Sequence, residues 1–181
     1  MADNKVLVII DMQPFFLNRA KRNWRRFWDS KQSFLDEWNK VTKGIQQEIR
    51  IAKKNKELII VVEYWRMETN KKTWTVSALR KTIGKYPHVV YLNKDFDDGS
   101  STIQNELKRR KIQDVAVFKI TGVNRSFCVA DTAKNLSRKY SDSKILLIDE
   151  AIGDEHGDNG WGNVTAFSNT AIVPNSTLAL V

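Results

Sequence analysis

Six short apolar runs punctuate the chain: 6–10 (VLVII), 58–62 (LIIVV), 88–92 (HVVYL), 115–118 (VAVF), 144–149 (KILLID) and 171–173 (AIV). Most do not alternate apolar with polar residues. Continuous Val/Ile/Leu runs of this length fit strands covered on both faces, as in a parallel sheet. The segments between them carry helical spacing. In 31–54, Phe34, Trp38, Val41, Ile45, Ile49 and Ala52 recur every three or four positions and form one amphipathic stripe. Asp29 or Ser30 can cap its start, and Lys53 and Lys54 suit the negative end of its dipole. Residues 101–111 and 127–140 read as two more helices, and 75–83 as a short one inside an excursion, 65–87, rich in Lys and Thr. Strand and helix alternate throughout, with no internal repeat and no linker. The pattern predicts an α/β fold with right-handed crossovers, and 1–181 as a single domain.

A chain of 181 residues can bury about 70% of its unfolded surface and needs no covalent staple. Its one cysteine excludes an internal disulfide and a multi-cysteine zinc site. The longest aliphatic runs are far shorter than the roughly 20 residues that span a bilayer, and MADNKVLVII lacks the features of a secretory signal. These features predict a cytoplasmic protein with no membrane partner. The charge is less ordinary. Thirty basic and twenty-one acidic residues give +9, and Arg19, Lys21, Arg22, Arg25 and Arg26 fall in one stretch with no acid among them. Such a segment either attracts phosphate or carboxylate partners or is a solvated surface. The solvated reading is the commoner, so nucleic acid is not the expected partner.

In an open parallel sheet, ligands bind beyond the carboxyl ends of the strands. Asp11 follows the first run, Glu63 to Arg66 the second, Lys94 the third, the turn GVNRSFC the fourth, and Asp149 and Glu150 the fifth. An aspartate, a lysine and the only cysteine thus converge on one edge. Cys128 falls in the opening turn of a predicted helix, where partial positive charge and a nearby Lys94 would lower a thiol's pKa. Asp11 could take the thiol proton and return it to a leaving amine. Backbone N–H groups of the turn could face an oxyanion. Each residue also has a plain reading: Cys128 as a small buried hydrophobe, Lys94 as a solvated charge, Asp11 as a turn residue.

The opening LVIIDMQPFF at 7–16, with Asp11, Gln13 and Phe16, resembles the signature of the isochorismatase-like hydrolases. The stretch from Lys94 to Gly122, Cys128, Val129, Thr132 and Ala133 is similar in order and spacing, and the resemblance runs on through Asp149 and Ala151. It implies a three-layer, doubly wound sandwich around a six-stranded parallel sheet of order 3-2-1-4-5-6. It also implies a catalytic triad of Asp11, Lys94 and Cys128 that opens a C–N bond of a small amide, carbamoyl or ureido substrate through a thioester. The oxyanion would be held by the N–H groups of Asn124 and Cys128, with a cis peptide between Val123 and Asn124 aiming the first of them. Family members are commonly dimers or larger, and six tryptophans suit a homodimer or higher assembly.

The chain departs from the family pattern in places that bear on substrate. The metal-containing members carry Asp and His after the second strand, where Tyr64 and Arg66 stand here, so neither metal nor cofactor is expected. Arg125 replaces a frequent Thr. It could clamp a carboxylate or lie on the surface. Phe16 and Trp65 are candidate pocket walls. Arg66, Arg125 and the 19–26 segment together would make an anionic small molecule the preferred substrate. His156 offers a less favoured base for Cys128, and Asp154, Glu155 and Asp158 read as a solvent loop. Two alternatives to an amidohydrolase stand: a non-catalytic binding module on the same fold, or a binder of anionic partners or nucleic acid through 19–26.

Overall fold

The computed structural model describes residues 4–65, 74–154, 160–161 and 164–174. Its centre is one sheet of β1 (Lys5–Ile10), β2 (Leu58–Tyr64), β3 (Val89–Lys94), β4 (Val117–Val123), β5 (Lys144–Gly153) and β6 (Thr170–Val173). All five pairings are parallel, and the spatial order is 3-2-1-4-5-6. The strand pleat divides the core in two. Val6, Val8 and Ile10 join Ile60, Val62, Phe118 and Ile120 beneath α4 (Ser100–Arg109) and α5 (Ala130–Lys139). Leu7, Ile9, Ile59 and Val61 pack on the other face against α2 (Lys31–Lys54) and α3 (Ser77–Ile83). The chain is therefore a doubly wound, three-layer α/β structure, and helices on both faces explain why its central strands are apolar without alternation.

Helix α2 follows its sequence pattern. All six predicted stripe residues are buried, and Ser30 caps the start by accepting from the N–H of Ser33, whose hydroxyl answers the Ser30 N–H. Helix α1 (Pro14–Phe27) has no counterpart among the predicted elements. Its basic residues mask a short apolar face, of which Phe16 and Ala20 are buried against the α2 side. Pro14 supplies the preset φ of a first helical position.

Strand β4 also differs from expectation, starting two residues later and running on to Val123. Its polar residues are accommodated one by one. Lys119 is buried and lies 2.6 Å from Glu57 and 3.7 Å from Glu48, and the Thr121 hydroxyl donates to the Val8 carbonyl at 3.0 Å. β5 likewise runs past Asp149 to Gly153, with an irregularity against β4 between Ile120 and Gly122. Among the described residues, no helix is long and apolar enough to cross a membrane.

Candidate active site

The site forms where β1, β3 and β4 end. Gly122 is the reason β1 and β4 can close on each other there. A Cβ on it would lie 2.1 Å from the Ile10 carbonyl oxygen, and its φ of 135° suits glycine alone. Just beyond this contact both chains turn through the left-handed region, at Asp11 (φ 54°) and Asn124 (φ 66°). Short polar side chains tolerate that conformation better than most, but it still costs on the order of 1 kcal/mol or more. The Asp11 N–H continues the ladder to the Val62 carbonyl (2.9 Å), so the turn begins from a fixed point. Gln13 locks the next strand end: its side chain accepts from the Tyr64 N–H (2.7 Å) and donates to the Tyr64 carbonyl (3.2 Å).

The three predicted catalytic side chains come together. Lys94 Nζ is 2.8 Å from Asp11 Oδ2, with both side chains sealed from solvent. It is a close charge contact rather than an aligned hydrogen bond, since neither Asp11 carboxylate oxygen has a partner of hydrogen-bonding geometry. Lys94 donates instead to the Asp97 carbonyl at 2.6 Å. The Cys128 sulfur is buried and interacts with both Asp11 and Lys94. It also lies 3.6 Å from Asp97 Oδ1, to which the thiol can donate, and 3.7 Å from the Asn124 Nδ2 donor.

Burial pushes the Cys128 thiol above its ordinary value, and the Asp11 charge adds to the rise, while Lys94 opposes it. Burial likewise pushes the Asp11 carboxyl up, against the pull of Lys94. Burial alone would lower Lys94, but Asp11 and Cys128 more than reverse this and its pKa is raised. The expectation of a thiol acidified by a helix start is therefore reversed. The free site holds a neutral thiol between acceptors, beside a carboxylate whose raised pKa makes it a better base.

Cys128 does not stand in the first turn of an α-helix. Residues Arg125–Val129 form a π-helical turn, with the Asn124 carbonyl accepting from the N–H groups of Phe127 and Val129, each at 3.1 Å, before α5 begins at Ala130. The implied cis peptide is also corrected. No cis bond occurs among the described residues, so Val123–Asn124 is trans, and the left-handed Asn124 makes the reversal.

Arg125 is neither a free clamp nor a surface residue. It is buried, donates to Asp149 (3.1 Å) and to the Ile152 carbonyl (2.8 Å), and stacks its guanidinium 4.6 Å from the Trp161 ring centre. Its charge is already matched within the protein. Asp154, expected in a solvent loop, is buried and braces the π turn through Ser126. Phe16 is a core residue, edge-on to Tyr64, whose ring in turn faces Lys94 at 5.8 Å. Trp65 is half-buried, with its N–H on the Lys94 carbonyl at 2.8 Å. The described part of the 19–26 segment lies on α1, where all five basic residues are exposed. Arg66, Glu155, His156 and Asp158 lie outside the described residues. No group of three His, Cys, Asp or Glu side chains able to hold a metal occurs among the described residues.

Sequence reasoning missed Asp97, Asp98 and the Asn124 side chain. Asp98 caps α4 through the N–H and hydroxyl of Ser100 and accepts from Asn135, while Thr132 of α5 accepts the Gly99 N–H at 2.9 Å. Two helices thus hold the Asp97 loop against the sulfur. The run KDFDDGSS, acids immediately before a helix with no acid in its first turn, was the available signal.

No protein-family model matches the sequence, and no curated protein matches it. Solved structures do. The MAR1 ribonuclease of Caenorhabditis elegans superposes with a TM-score of 0.73 at 14% identity, over 99% of this chain and 81% of its own. An isochorismatase-like hydrolase of Alkaliphilus metalliredigens gives 0.68 at 14% identity, over 97% and 96%. N-carbamoylsarcosine amidase of Thermoplasma acidophilum gives 0.67 at 14% identity, over 95% and 96%. With its six parallel strands in the order 3-2-1-4-5-6, the chain has the fold of the isochorismatase-like hydrolases.

Proposed function

We propose that the chain is a metal-independent cysteine hydrolase that opens a C–N bond of a small amide, carbamoyl or ureido substrate. The observation that carries this reading is the buried Lys94–Asp11 pair, 2.8 Å apart, with the only cysteine against it. The likeness to an N-carbamoylsarcosine amidase supports the choice of bond. Asp11 accepts the thiol proton as Cys128 Sγ attacks the carbonyl carbon, so that a C–S bond forms and the carbonyl oxygen becomes an oxyanion. The reading assigns that oxygen to the N–H groups of Asn124 and Cys128. The C–N bond then breaks, and the proton passes from Asp11 to the departing nitrogen. Water attacks the thioester while Asp11 takes its proton, and the thiol recovers a proton as the acid leaves. Lys94 stays protonated throughout and holds Asp11 and the transient thiolate. Ammonia or amine release from a panel of small amides, carbamoyl and ureido compounds tests this: wild type should release it, and Cys128→Ala should not. A wild type inert towards the whole panel overturns the reading.

A second reading has its own support. Five exposed basic residues cover the outward side of α1, opposite the buried Phe16 and Ala20, and a structural neighbour is a ribonuclease. On this reading α1 binds RNA through its phosphates. Binding of a single-stranded RNA oligomer that weakens steeply between about 50 and 200 mM salt, and is lost on reversing the charges of Lys21, Arg22 and Arg25, would support it. Salt-independent or absent binding would end it.

A further inference from the structure

Asn124 brings more than a backbone N–H to the site. It is 5% exposed, and its carboxamide is directed at the catalytic sulfur, with Nδ2 3.7 Å from Cys128 Sγ. The other end of the same amide, Oδ1, is buried without a hydrogen-bond partner. A buried acceptor left unmatched is costly. Such an atom calls for a donor from a ligand or a water. The orientation is set by chemistry. As the sulfur becomes negative during attack, the NH2 end of the amide must face it, and Oδ1 is then fixed as the free acceptor. Asp11 Oδ1 is a second buried acceptor without a hydrogen-bond partner, on a carboxylate that also interacts with the sulfur.

A thiolate adding to a carbonyl carbon has the leaving atom one bond from that carbon. In an amide this atom is a nitrogen bearing N–H; in an ester it is an oxygen with nothing to donate. We propose that Asn124 Oδ1 accepts an N–H of the leaving nitrogen, making Asn124 the residue that selects amides over esters at Cys128. The proposal rests on the cysteine-hydrolase reading. It goes beyond that reading by giving the Asn124 side chain a part in substrate choice.

Glycine is the clean replacement, because a φ of 66° suits it and strains alanine. Asn124→Gly removes the carboxamide and keeps the turn; Asn124→Asp keeps an acceptor. Two matched sets of neutral probes are used. The first is a panel of primary amides and the methyl esters of the same acids, compared by kcat/KM. The second is iodoacetamide and methyl iodoacetate, compared by their rate of alkylation of the single cysteine. In Asn124→Gly the amide-to-ester ratio should fall by about 10-fold or more, because a site built for an N–H discriminates through that donor. The iodoacetamide-to-ester alkylation ratio should fall with it, and Asn124→Asp should recover part of the amide preference. A parallel loss on amide and ester shows only thiolate support or turn geometry and overturns the proposal, as does an unchanged ratio. If wild type cleaves neither substrate, the hydrolase reading fails and the proposal fails with it. If wild type cleaves amides and neither ratio depends on Asn124, the hydrolase reading stands and the proposal alone is refuted.

Discussion

The fold buries two ion clusters of similar composition, one at each end of the sheet. At the carboxyl edge Lys94 pairs with Asp11. In the amino half, under α2, Lys119 pairs with Glu57 at 2.6 Å and lies 3.7 Å from Glu48. All five side chains are almost fully buried. Burial also pushes the Glu48 carboxyl up, with Lys119 opposing and Glu57 adding to the rise. Perturbed buried charge is therefore not what separates a reactive site from a structural one. Three other features do. The Lys94 cluster includes a thiol, Cys128. It stands at strand ends beside an exposed acidic loop residue, Asp97. It is set by two left-handed residues and a π turn at the carboxyl edge, whereas in the other cluster Lys119 and Glu48 stand on regular strand and helix and Glu57 follows the left-handed Lys56 in the turn before β2. Local irregularity placed where ligands can arrive supports the proposed role of the Lys94 cluster.

Replacing members of each cluster should separate their roles most widely in activity. Cys128→Ala and Lys94→Met should each lower kcat/KM for an amide by about 10³-fold or more, because members of a catalytic unit fail together. Lys119→Met, assayed well below its unfolding temperature, should change kcat/KM by less than about twofold. A large activity loss in Lys119→Met would break the comparison.

Stability should reverse the order of Cys128→Ala and Lys119→Met. Lys119→Met leaves two carboxylates buried without their cation and should cost about 3–5 kcal/mol in denaturant unfolding. An unchanged midpoint would mean that water reaches Glu57 and Glu48.

The pH dependence is the next largest effect. A carboxyl raised above its ordinary 4.5 in the folded state binds its proton more tightly there than when unfolded. The stability it contributes is present below the ordinary value and is lost as pH rises towards the raised one. Glu48→Gln removes this loss. The variant should be more stable than wild type at pH 8, with the difference vanishing towards pH 4. A difference that grows as pH falls would invert the assignment.

The smallest expected effect concerns substrate charge. With Arg125 matched by Asp149 and the Asp97 carboxylate beside the sulfur, the site has lost the principal cation expected to favour an anionic substrate. Asp97→Asn should raise kcat/KM for an anionic amide a few-fold relative to a neutral one, and the gain should shrink at high salt. No change in that ratio would place Asp97 away from the substrate's path.

Much of this fold was legible in the sequence because its central strands are uninterrupted apolar runs and α2 repeats its stripe six times. Where legibility failed, a charge or a left-handed residue intervened. Lys119 hid the continuation of β4, since a buried lysine reads as a strand end until its carboxylates are known. The basic residues of α1 hid a helix whose buried face rests on Phe16 and Ala20. That Asp11, Lys94 and Cys128 come together was legible because each follows a strand, and strand ends can be counted. The direction of the Cys128 pKa was not legible. A helix start and a lysine suggested acidification, but burial and the Asp11 charge outweigh both, and neither can be read from spacing. The partners of Arg125 were hidden for the same reason, as Asp149 lies 24 residues away and is brought to it by the β4–β5 pairing.

The central claim is that Cys128 forms the covalent intermediate after starting as a neutral thiol, and acyl trapping tests it most directly. Wild type is mixed with the panel of amides, quenched in acid within the first turnovers, and weighed intact, with hydroxylamine added in a parallel run. The account predicts a single acyl adduct on Cys128, hydroxamate formation at the expense of free acid, and neither in Cys128→Ala. Amide cleavage that continues in Cys128→Ala, with no adduct in wild type, would contradict it.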